Sequence, residues 1–343
     1  MIVVVNRRRP IRRPAGNFRI SLNAKDVSSA YRNSVYWRWL EDAKVFFEQI
    51  ITNPNVTITV NVTFKDLGSG TLGQCGPGVG NWWEWVAFPF SDYYRIGNDY
   101  SIMTSAAMDM NTSYFKINPA TDSLPAWWSG GREAAWEWRN QFFNIAVHEI
   151  FHGVGLGALW SGPFKIISVQ NWNPTPWGDP VYTWQTLEDL WFPINSQNVV
   201  GRYSPRDPRY TKSAALTAWR AQMVGQESVA DIPIENVNVG SSLTTMKQAG
   251  GTALSHWRVS STTGQPVPGR SVRNRKIDVS RSALGGQHID SELMTGWSSR
   301  GMTGEYDKEQ WVGRFTVQSL REIGYSVNMA PVEIPLHYWK REH

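Results

Sequence analysis

The sequence predicts an α+β protein with an upstream twisted sheet plus helices, one long central helix, and a loop-rich downstream subdomain. Three observations carry this prediction. Apolar residues recur at helical spacing from Tyr36 to Ile50, and they alternate strictly from Val56 to Phe64. From Ser161 to Arg209, Pro, Gly, Asn and Trp interrupt all regular periodicity.

Composition bounds the problem first. The chain has 343 residues, 41% hydrophobic and 18% charged, which is enough apolar mass for a large core and excludes a disordered polymer. No stretch approaches the roughly 18 uncharged apolar residues that a bilayer span requires. The opening MIVVVN is shorter than a signal-peptide core and has Arg7, Arg8 and Arg9 on the wrong side of it, so no secretory signal is expected and synthesis falls to the cytoplasm. Cys75 is the single cysteine, which excludes an intrachain disulfide framework. The formal net charge of +5 is concentrated in Arg7–Arg13 and around Arg270, Arg273, Arg275 and Lys276. Pro10 makes the first run an extended arm, which reads as solvated surface or an anchor to a larger assembly ahead of a nucleic-acid contact. The expected organisation is a basic N-terminal arm over 1–20, an upstream α/β subdomain over 21–157 ending in the central helix, and a downstream subdomain over 158–343.

Along the chain, Tyr36, Leu40, Ala43, Phe47 and Ile50 line one helix face, with Ser28 or Ser29 as its N-cap. Val56, Ile58, Val60, Val62 and Phe64 define a half-buried strand on which that helix packs. The run from Leu67 to Gly80 reads as a glycine-rich loop without the Lys-Ser/Thr helix start of a phosphate cradle. The aromatic segment Asn81–Phe90 is expected in the core rather than on a sugar-stacking surface. Ser113–Asn118 is a further strand candidate before the turn-rich NPATDSLP. A long apolar segment follows from Glu133 to Val154. Downstream helices are readable from Ser213 to Val224, stopped by Gly225, and from Thr316 to Ile323, stopped by Gly324.

The chemistry lies in His148-Glu149-Ile150-Phe151-His152. On a helix, two imidazoles four residues apart project from one face and can share a metal ion, with Glu149 beside them. The flanking Phe142, Phe143, Ile145, Ala146, Val147, Ile150, Phe151 and Val154 imply a buried helix, where imidazoles need partners. A hydrolytic zinc site usually takes three protein ligands and keeps one position open. Gly155 extends the pattern to HExxHxxG and can end the helix with positive φ, turning the chain back under the metal. The compact form of that motif needs a His at position 158, where this chain has Ala158. Among the remaining histidines, His337 and His343 lie in a polar tail, leaving His256 and His288. Glu188 is a further alternative, as in sites of two His and one Glu.

The segments HEIFHGVGLGALW (His148–Trp160), GGTALSHWR (Gly250–Arg258), SELMTGW (Ser291–Trp297) and FTVQSLREIGYSVN (Phe315–Asn328) together resemble the leishmanolysin family of zinc metalloproteases, including its microbial relatives. The resemblance spans roughly residues 28–335 and implies a metzincin-like fold. By that match His148, His152 and His256 would bind zinc, Glu149 would be the catalytic acid/base, and Met294 would form an apolar floor under the metal. The interval between His256 and Met294 looks expanded by a basic insertion, which keeps His288 open as the third ligand. The single cysteine sets this chain apart from the family's disulfide-rich members.

The implied activity is endopeptidase hydrolysis of a polypeptide, bound extended along a sheet edge for which Ser113–Asn118 is the candidate by position. A reading from another class is a structural or adhesion component of a larger particle, such as a virion, built on a protease-like domain. The basic arm, the missing signal and the 19 Trp motivate it. Cys75, well inside the domain, is a core thiol rather than a latency switch.

Overall fold

The computed structural model describes residues 18–68, 71–77, 93–96, 100–117, 132–157, 160, 167–168, 209–223, 226–234, 256–257, 292–295, 310–333, 336 and 339. Residues 1–17 of the basic arm, the aromatic segment Asn81–Phe90, Glu188 and His288 lie outside the described residues, as do His337 and His343.

The upstream part is built on a four-stranded mixed sheet. In order across the sheet these are β1 (Arg19–Asn23), β2 (Thr57–Lys65), β6 (Ser105–Asn111) and β3 (Gly73–Pro77). The first three run parallel, with Ile20 beside Ile58 and Val60 beside Ala106, whereas β3 runs antiparallel to β6 with Cys75 beside Met108. Alternation in β2 buries Ile58, Val60 and Val62 and leaves Thr59, Asn61 and Thr63 partly exposed, as the period of two predicts. Two further strands, β4 (Tyr93–Ile96) and β5 (Tyr100–Met103), form a separate hairpin.

Helices cover the apolar face. The single helix expected after Ser28 is two: α1 (Ser29–Arg32) and α2 (Val35–Ile50). Ser28 caps α1 by accepting from the Tyr31 N–H. The Ser34 hydroxyl then turns back to donate to the Tyr31 carbonyl, which breaks the run before α2 starts. α2 packs on α3 (Arg132–Gly153), with Phe47 and Phe151 edge to face at 4.7 Å. The first described side chains of α3 begin at Gln141, and Phe142, Phe143, Ala146, Val147, Ile150 and Phe151 are all buried.

Two expectations are corrected here. Part of the glycine-rich Leu67–Gly80 segment is strand β3, because β6 supplies a pairing partner that local sequence does not reveal. The segment expected as a strand from Ser113 turns instead. The Asn111 side chain accepts from the Leu67 and Ser113 N–H groups and donates to the Gly68 and Thr71 carbonyls, so the backbone after it bends rather than extends. Ser113–Asn118 is therefore not a sheet edge over its described residues.

Downstream, β7 (Ile167–Ser168), β8 (Arg209–Tyr210) and β9 (Ile232–Pro233) form a small antiparallel sheet. Helices α4 (Ser213–Gln222) and α5 (Arg314–Glu322) pack together, Trp219 meeting Phe315 at 4.7 Å. Glu322 of α5 accepts from the Tyr210 hydroxyl and the Ala214 N–H, tying β8 and α4 to α5. Gly324, at φ +106°, ends α5 as expected. The chain then returns to the upstream part: the Thr52 N–H donates to the Ser326 carbonyl, the Asn328 N–H to the Ile50 carbonyl, and Ser326 N–H to the Asn53 side chain. Among the described residues, no helix is long and apolar enough to cross a membrane.

Candidate metal centre

His148 and His152 lie on the last turns of α3, four residues apart, and therefore on one face. The helix can sit this close to the sheet because position 153 is glycine. A Cβ there would lie 2.9 Å from Cys75 Sγ and 3.2 Å from the Ala106 Cβ. Immediately beyond, Gly155 takes φ +100° and Gly157 φ +78°, conformations that strain any residue with a Cβ. The turn at Gly155 brings the Leu156 carbonyl back to His152 Nδ1, at 3.0 Å.

His256 enters from far away in the sequence. Its Nε2 lies 2.9 Å from that of His152 and 3.1 Å from that of His148, and the His148–His152 separation is also 3.1 Å. His152 and His256 are buried and His148 half-buried. The outer nitrogen of His148 is fixed as well, its Nδ1 lying 2.7 Å from the Leu293 carbonyl. Carbonyl oxygens accept only, so His148 and His152 carry their protons on Nδ1 and turn the lone pairs of Nε2 towards one another.

Protonation does not relieve that convergence. Burial, reinforced by the neighbouring His152, pushes His148 down to about 3 against the opposing Leu293 hydrogen bond. Burial likewise pushes His152 down to about 4. At neutral pH the pair is uncharged, with two nitrogen lone pairs at about van der Waals contact. A cation between them resolves the repulsion. Regular tetrahedral zinc, with Zn–N bonds of about 2.0–2.1 Å, separates its ligands by about 3.3 Å, a few tenths more than the three edges observed. Small ring rotations close that difference, so the donor set fits a metal ion.

Glu149, the residue after His148, is buried, 6% exposed. Burial, with the charge of Asp109 added, pushes its carboxyl up to about 8, and the Cys75 backbone N–H opposes by donating to it. The carboxylate lies flat on β3 because position 73 is glycine: a Cβ there would lie 3.0 Å from Glu149 Cγ and 3.1 Å from Oε1. Burial and the proximity of Glu149 push the Cys75 thiol well above its ordinary range, so it stays a neutral core thiol. It is not a member of the three-histidine group.

The orientation of β3 matters for access. The Asn111 N–H donates to the Leu72 carbonyl, whereas the Thr112 N–H donates to Lys65 on the opposite neighbour. Odd-numbered residues of β6 therefore bond to β3, and the main-chain groups of Gly73 and Cys75 point away from β6. Glu149, the residue after His148, packs against this side of β3.

Met294 is fully buried in the turn 292–295. Its carbonyl accepts from the Trp257 N–H, next to His256, and the preceding Leu293 carbonyl holds His148. Of the residues singled out in the sequence, His148, His152 and His256 converge, Glu149 follows His148 on the helix, and Met294 lies in the turn that bonds to His148; Glu188 and His288 lie outside the described residues. Sequence reasoning missed Gly73, the two carbonyls that orient the imidazoles, and the β3 edge. The fold and site define a mixed α/β protein with a buried three-histidine group that could hold a metal ion. No family model matches the chain, and no curated protein matches it.

Proposed function

We propose that the protein is a zinc-dependent endopeptidase of metzincin-like architecture. The observation that carries this reading is the convergence of the Nε2 atoms of His148, His152 and His256, with Glu149, the residue after His148, packed against strand β3. A divalent ion held by His148, His152 and His256 supplies Lewis acidity, which acidifies water and polarises a scissile carbonyl. Glu149 would take the proton from the attacking water and return it to the leaving amine, the acid/base role of a carboxyl group next in the chain to a metal ligand. The Cys75 N–H and the bare Gly73 hold that carboxylate in one place. The polypeptide binds extended along β3, where main-chain groups give affinity without demanding a particular side chain. Met294, buried in the turn that bonds to His148, would supply an apolar wall to the site.

The test is a metal analysis of the purified protein beside cleavage of an unfolded general protein substrate by wild type and Glu149→Gln. Near one zinc per chain in both proteins, with cleavage confined to the wild type, is the expected result. Zinc in both with no cleavage by either overturns the peptidase reading and leaves a structural metal site.

A further inference from the structure

Glu292 is fully buried, and nothing in the chemistry above uses it. Its carboxylate collects three donors. Oε2 accepts from the Met294 N–H at 2.7 Å, and Oε1 accepts from the Gly313 N–H at 2.9 Å and the Thr316 hydroxyl at 2.6 Å. The Thr316 hydroxyl in turn accepts from the Trp257 indole N–H at 2.8 Å. Gly313 and Thr316 belong to the start of α5, the Met294 turn carries the Leu293 carbonyl that holds His148, and Trp257 follows His256.

These bonds form a circuit. It runs from His148 through Leu293 and the turn to Glu292, then through Thr316 to Trp257 and so to His256. A second link closes it, because the Trp257 N–H donates to the Met294 carbonyl. The two histidines are 108 residues apart in the chain, so their relative placement depends on tertiary contacts of this kind.

We infer that Glu292 is a positioning residue for the metal centre, joining the turn that orients His148 to the residue that carries His256. The inference rests on the metal centre proposed above. A carboxylate suits the place because it accepts from several donors at once; an amide in the same volume keeps at most two of these bonds and turns an NH2 towards a remaining N–H. Groups that orient metal ligands from behind typically change metal affinity tenfold to a hundredfold when removed.

The test uses the full chain, stripped of metal and titrated with Zn(II) against a chromophoric chelator, with the visible absorption of the Co(II) form as a reporter of ligand geometry. Glu292→Gln and Thr316→Val are expected to weaken Zn(II) binding about tenfold to a hundredfold and to alter the Co(II) spectrum. Thr316→Ser, which keeps the hydroxyl, recovers most of the loss. Ile58→Val, a core change in the sheet far along the chain, controls for general destabilisation and leaves the affinity within about twofold. Should Glu292→Gln fail to fold, the Thr316 pair decides alone. Wild-type binding with Thr316→Val and any folded Glu292→Gln within twofold of it overturns the positioning role and leaves the metal centre standing. A wild type that takes up no metal overturns both.

Discussion

The Nε2 atoms of His152 and His256 lie 2.9 Å apart across 104 residues of sequence. No hydrogen on His152 bridges them, because its proton is held on Nδ1 by the Leu156 carbonyl. Replacing His256 by Ala removes one of three donors and is expected to lower zinc affinity by at least about a hundredfold, while His288→Ala leaves the metal content unchanged. Metal content after dialysis against a weak chelator reads both.

Glu149→Gln keeps the volume of the side chain and removes its basicity. Metal binding is expected to persist and the cleavage rate to fall about a hundredfold to ten-thousandfold, the range that general acid/base groups supply. Rate measurements on the zinc-loaded protein at saturating substrate decide it.

Gly73→Ala introduces a methyl group 3.0 Å from Glu149 Cγ and leaves the histidines untouched. The carboxylate must shift away from the Cys75 N–H. Activity is expected to drop about tenfold to a hundredfold with zinc content unchanged, since small displacements of a catalytic group cost this much. Equal losses of metal and activity would contradict the placement of Glu149 on this strand.

How much of this was legible in the sequence follows from how local each signal is. Helix α2, strand β2 and the stops at Gly155 and Gly324 are written in short-range periodicity or in single glycines at positive φ. Strand β3 was not legible, because Gly-Gln-Cys-Gly-Pro has no alternation and no β-branched residue; only pairing with β6 makes it a strand. Ser113–Asn118 misled for the opposite reason. Its apolar pair Tyr114 and Phe115 suits a strand, but the four side-chain bonds of Asn111 fix a turn around it. The histidine pair is a local motif, whereas Glu292, Thr316 and Trp257 meet only through tertiary packing and leave no spacing to read.

Stability should depend on pH through Glu292. Burial pushes its carboxyl up to about 7, against the Thr316, Gly313 and Met294 donors. A folded-state value above the unfolded one means that the folded protein holds more protons between about 4.5 and 7, so this contribution is full below that window and is lost as pH rises through it. The stability advantage of wild type over Glu292→Gln is expected to shrink across the window, measured as the difference in urea unfolding free energy of the metal-free proteins. A constant or growing difference would contradict it.

In the core between helix and sheet, Phe47 is fully buried and meets Phe151, whose neighbour is His152. Phe47→Ala is expected to cost about 3–5 kcal/mol in unfolding free energy. Denaturant titration checks the magnitude.

The most direct measurement is X-ray absorption spectroscopy at the zinc edge on the stoichiometrically loaded full-length protein. Three imidazole nitrogens at about 2.0–2.1 Å with one exchangeable oxygen donor are expected, and one imidazole lost in His256→Ala. A zinc shell with two imidazoles or fewer in the wild type, or one unchanged by His256→Ala, would contradict the account.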